Sequence, residues 1–137
     1  MNKEEAIKII NDNAASDNGS YMDFFHEKGV FDELSFWKFY NSIRLLAYEL
    51  RNDDSLNREL TTKILKSYEW HLILIGFHFD ENDGSSIENL PQDFSQYSLR
   101  LRSAVNAYIE GNPISDELEG FFNEDLENKL KNDCPIE

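Results

Sequence analysis

Asp32-Glu33-Leu34-Ser35-Phe36-Trp37-Lys38-Phe39-Tyr40-Asn41-Ser42-Ile43-Arg44-Leu45-Leu46-Ala47-Tyr48-Glu49-Leu50-Arg51 carries the reading that decides the fold. Phe36, Phe39, Tyr40, Ile43, Ala47 and Leu50 recur at the helical period and form one stripe. Leu34, Trp37, Leu45 and Tyr48 form a second stripe beside it. Ser35, Lys38, Ser42 and Glu49 make a narrow polar strip. Asp32 is placed to cap the helix. A helix with so little polar surface belongs at the centre of a bundle, with neighbours on more than one side.

Working outward toward the N-terminus, Lys3 to about Asn13 reads as a helix capped by Asn2, with Ala6, Ile7 and Ile10 on its apolar side and Glu5 at the reciprocal position. A shorter helix is expected from Ser20 to about Lys28. Gly29 closes it by supplying a left-handed residue. Toward the C-terminus, Ser55 or Asp54 can cap a helix from about Leu56 toward Gly76, whose buried side is marked by Leu60, Ile64, Tyr68, Leu72 and Ile75. Trp70, Ile73, Leu74 and Phe77 widen its apolar surface. Leu72 to Phe79 also reads as a buried strand, although helical continuity favours helix. Asp80 to Gln92 forms the longest loop. A fifth helix from about Asp93 to Glu110 stops at Gly111, and a sixth spans about Asp116 to Lys131. The expectation is an all-α single domain over 1–137, a compact bundle of five or six helices with a C-terminal tail fraying from about 132.

Twenty-seven acids against thirteen bases give a formal charge of -14. Such a field repels phosphate backbones and anionic membranes and steers basic surfaces inward. Aromatic residues make up 13% of the chain, far too many for a disordered acidic tail. No Lys or Arg lies between Lys66 and Arg100, where Glu69, Asp80, Glu81, Asp83, Glu88 and Asp93 fall. From Ser103 onward, nine acids face only Lys129 and Lys131.

Signals for chemistry are poor. Asp80 to Pro91 resembles a calcium loop in part, but its glycine comes one residue early and Pro91 stands where the bidentate glutamate belongs. His71 and His78 are two helical turns apart, too far to share a zinc ion on a straight helix. Cys134 is the only cysteine, and its acidic neighbours raise its pKa rather than activate it. No nucleophile elbow or phosphate loop is present. We therefore expect a non-enzyme with no cofactor and no metal. With no intrachain disulfide possible, no secretory signal and no apolar run long enough for a bilayer, the expectation is a cytoplasmic protein.

Size, helical character, acidity and the absence of a catalytic signature together resemble the immunity proteins of bacterial contact-dependent inhibition and related polymorphic toxin systems. The likeness is of type over the whole chain. It implies a tight complex with a basic cognate toxin domain, a nuclease in many such systems, whose active cleft the immunity protein covers. The acids expected to meet it are Asp80, Glu81, Asp83 and Glu88, then Asp116, Glu117, Glu119, Glu124 and Asp125. Trp37 and Tyr97, with Tyr48 and Phe121, are the aromatic candidates for the desolvated centre. An acidic regulatory adaptor, inhibitor or nucleic-acid mimic would use the same field against another basic protein. A homo-oligomer would pair aromatic stripes instead.

Overall fold

The computed structural model describes residues 1–113, and the expected sixth helix lies outside them. Four α-helices follow one another: α1 (Lys3–Ala14), α2 (Glu33–Glu49), α3 (Arg58–Phe79) and α4 (Phe94–Glu110). A π-helical turn, Asp23–Glu27, sits between α1 and α2. Among the described residues the architecture is all-α, with one isolated parallel bridge between Val30 and Glu88.

Local chemistry sets the helix starts. The Asn2 side chain accepts from the Glu5 amide, and the Asp32 carboxylate accepts from that of Ser35. Asn57, rather than Ser55 or Asp54, caps α3, its Oδ1 accepting from the Leu60 amide at 2.9 Å. Residues 50–57 therefore form a longer connection than the sequence suggested. Ser20 caps the turn before α2, its Oγ accepting from the Asp23 amide. Gly29 and Gly111 stand at positive φ where helices close. The α3 helix does not end at Gly76, nor does Leu72–Phe79 form a strand; it stays helical to Phe79. A helical glycine costs only about 1 kcal/mol, which the apolar turns on either side outweigh.

α2 lies at the centre as expected, packed on α1 and on α4, while α3 closes the bundle against α1 and α4. The core is unusually aromatic. Tyr21 stacks on Phe25 at 4.9 Å, and Tyr97 meets both Phe31 and Phe36 edge-on at 5.1 Å. Each such pair adds about 0.5–1.5 kcal/mol beyond simple burial. The two α2 stripes are not equivalent: Trp37 and Leu45 are buried, whereas Leu34 and Tyr48 at the ends of the second stripe are exposed. Ser35 and Ser42, expected on the polar strip, are buried and satisfy their hydroxyls on the Asp32 and Lys38 carbonyls. None of the described helices is long and apolar enough to cross a membrane.

Candidate partner-binding face

The acidic loop after α3 is held in place rather than loose. Ile87 is buried beneath it, and the Ile87 amide donates to His78 Nδ1 on the last turn of α3 at 2.9 Å. The Glu88 amide donates to the Gly29 carbonyl at 2.8 Å, and the Glu88 carbonyl accepts from the Phe31 amide at 2.9 Å. These bonds fix the backbone on which the acids stand. Asp80, Glu81 and Glu88 are exposed and Asp83 is half-exposed. Asp80 and Asp83 each accept a backbone amide two residues ahead, from Asn82 and Ser85. The Ser85 hydrogen bonds, side chain first and backbone second, hold the Asp83 carboxyl below its ordinary value. These carboxylates stabilise their own turns, and no group of three or more acids, histidines or cysteines placed to hold a metal ion occurs among the described residues.

An apolar face of α3 leads into this loop. Glu69, Leu72, Ile73, Gly76, Phe77 and Asp80 follow the spacing i, i+3, i+4, i+7, i+8, i+11, which puts them on one side of a helix. All six are exposed. Exposure along the α3 end runs from 40% at Phe77 through 41% at Trp70 to 58% at Phe79. The result is an apolar strip with a carboxylate at each end and the acidic loop beyond it. Leu72 had been expected on the buried side. The buried side of α3 instead centres on Ile64, Ser67 and His71, which turns Leu72 outward. A reading of the sequence for acids at i and i+11 enclosing apolar residues would have found this strip.

The aromatic candidates divide. Trp37 is 2% exposed and Tyr97 6%, so both belong to the core and offer no surface to a partner. Tyr97 donates its hydroxyl to Glu33 at 2.9 Å; burial first, then that carboxylate, push its pKa well up. Tyr48 is exposed, with the Arg51 guanidinium 4.0 Å over its ring. Arg100, which ends the base-free stretch, is buried against the Trp37 ring at 5.8 Å. Asp116, Glu117, Glu119, Phe121, Glu124 and Asp125 lie outside the described residues.

One buried polar chain has the outline of a catalytic group. His71 Nδ1 lies 2.8 Å from the Tyr21 hydroxyl, and its Nε2 lies 2.8 Å from Ser98 Oγ. Burial pushes the His71 pKa down to about 4, which makes it a weak base at neutral pH. Its second nitrogen is held by a phenol where a triad places a carboxylate. The chain serves to tie the turn before α2, α3 and α4 together through groups that satisfy one another.

Comparisons with protein-family models, with curated proteins and with solved structures each gave no match.

Proposed function

We propose that the chain is an immunity protein that binds a basic toxin domain, a nuclease of its own bacterial system, and neutralises it by covering the active cleft in the cytoplasm. The observation that carries this reading is the apolar strip of α3, closed at both ends by Glu69 and Asp80 and continued by Glu81, Asp83 and Glu88. Interfaces of stable complexes have that composition, with desolvated apolar groups at the centre and charge at the rim. A nuclease must hold phosphates with Lys and Arg, and those groups complement this rim. The charged rim steers encounter, and the strip supplies the slow dissociation.

The test is co-purification of the tagged chain from its native host at moderate salt. Recovery of a basic nuclease domain, and its loss with Phe77→Ser, supports the reading. Recovery of a polymerase or repressor assigns the face to an acidic adaptor and overturns the immunity role. In reconstituted binding, reversing Asp80, Glu81 and Asp83 to Lys is expected to slow association about tenfold or more and flatten its salt dependence. An unchanged on-rate removes the loop from the interface.

A further inference from the structure

The chain has three histidines, and their hydrogen bonds differ in one respect that matters for protonation. His71 meets two hydroxyls, those of Tyr21 and Ser98, and a hydroxyl can turn from donor to acceptor. His26 Nδ1 lies 3.4 Å from another hydroxyl, that of Ser16, and 3.3 Å from the Glu27 carboxylate. His78 Nδ1 instead accepts from a backbone amide, that of Ile87, at 2.9 Å. An amide nitrogen can only donate. The bond therefore requires a bare Nδ1, with the ring neutral and its proton on Nε2. When the ring takes a second proton, both nitrogens become donors, and the Ile87 amide is left facing another N–H.

This bond joins the acidic loop to α3. The loop returns to the body of the fold at Ile87, which is buried, and at Glu88. The two backbone bonds of Glu88, to Gly29 and Phe31, carry no titrating group. Of the three bonds, only the one to His78 responds to pH. Beside the ring is a hollow of about 420 Å³ running from Phe79 across Ile87 and Leu90 to Phe94, and His78 is the only ionisable residue in its lining. The charged groups of the surrounding segments are Asp80, Glu81, Asp83 and Glu88 in the loop, Asp93 before α4 and Lys28 before Gly29. Lys28 is paired with Asp23 at 3.6 Å, and among the described residues the histidine ion pair is that of His26.

We propose that His78 is a proton-operated latch: its neutral ring ties the acidic loop to α3, and its protonation frees the stretch from Asp80 to Ile87. The bonds of Glu88 keep the far end of the loop in place. The imidazolium takes carboxylates as partners in place of the amide, which re-aims Asp80, Glu81 and Asp83. Any effect on a bound partner rests on the face proposed above. The latch itself belongs to the free chain, so either can fail without the other.

The test is nuclear magnetic resonance of the full chain, labelled with nitrogen-15, between about pH 8 and pH 5, where imidazoles ordinarily titrate. His71, with its pKa at about 4, stays mostly neutral over that range. At the upper end the His78 ring is expected to show the Nε2–H tautomer. The Ile87 amide shift should then move with the same midpoint as the ring. Its exchange protection, corrected for the intrinsic rate, should fall about fivefold, as the loss of one hydrogen bond implies. His78→Asn puts a carbonyl acceptor that does not titrate near the place of Nδ1, and should keep the Ile87 amide protected throughout. His78→Phe removes the acceptor and should leave that amide as open at high pH as the parent's is at low pH. Unchanged Glu88 and Phe31 amides in both variants show the fold to be intact. An Nδ1–H tautomer at the upper end, an Ile87 amide that does not follow the ring, or one that titrates equally in His78→Asn each overturns the proposal.

Discussion

His71 shows how much a single side chain can hold. It is buried at the meeting of three segments, with the Tyr21 hydroxyl on one nitrogen, the Ser98 hydroxyl on the other and Phe25 stacked beside it. Desolvation opposes its charged form and lowers its pKa from 6.5 to about 4. In the unfolded chain the imidazole takes its proton near pH 6.5, whereas the folded protein resists until about pH 4. The unfolded state therefore binds more protons throughout that window, and stability falls as pH falls through it. Nothing is lost well above pH 6.5, and the loss of stability reaches about 3 kcal/mol by pH 4. His71→Gln keeps a hydrogen-bonding side chain that does not titrate. We expect it to cost about 1–3 kcal/mol at pH 7.5 and to narrow its deficit against the parent steadily toward pH 4. Urea unfolding of both proteins across that range measures the difference, and a constant gap would mean that His71 is not a buried neutral base.

At the scale of elements, α3 and the loop after it behave as one unit, and two glycines test this from opposite directions. Gly76 lies inside α3, and a methyl added there would meet nothing within 4 Å. Gly76→Ala should stabilise the protein by up to about 1 kcal/mol through helix propensity alone. Gly29 has φ +65°, and a methyl there would sit 3.3 Å from the Ser86 carbonyl in the acidic loop. Gly29→Ala should cost about 1–2 kcal/mol and lower the hydrogen-exchange protection of the Glu88 and Phe31 amides, which the bridge holds. Denaturation midpoints and exchange rates decide both, and a destabilised Gly76→Ala would deny that the α3 face is open. Much of this element structure was legible in the sequence. The caps Asn2, Asp32 and Ser20, the closing residues Gly29 and Gly111 and the central position of α2 follow from local rules and periodicity. The outward side of Leu72 and the burial of Arg100 were not legible. Periodicity marks an apolar face, but when a helix is apolar on several sides only its tertiary neighbours decide which one is covered. Trp37 and Tyr97 failed as partner residues for the same reason: aromatic character suits a core and an interface equally.

At the scale of the whole molecule, an apolar strip and a charge of -14 have opposite consequences for encounters between copies and for encounters with a basic partner. Two copies that bring their α3 faces together also bring Glu69, Asp80, Glu81, Asp83 and Glu88 toward one another. At low salt the repulsion reaches well beyond contact, since the Debye length is about 30 Å at 0.01 M. The strip is then protected from itself by the same acids that, under the proposed function, recruit a basic surface. At about 1 M salt the length shrinks to roughly 3 Å, leaving the apolar term alone. We therefore expect the protein to sediment as a monomer at pH 7.5 in 0.01 M salt and to self-associate as salt rises toward 1 M. Over the same range its binding to a basic partner should weaken. At pH 7.5 His71 is neutral in both folded and unfolded chains, so unfolding does not confound the comparison. Phe77→Ser, which changes no charge, should suppress the self-association at high salt and weaken partner binding at low salt. A single face then accounts for two salt dependences of opposite sign. Sedimentation velocity on the parent and the variant measures the first of them, and association that is strongest at low salt, or indifferent to Phe77, would place the contact between copies elsewhere and leave the strip without this role.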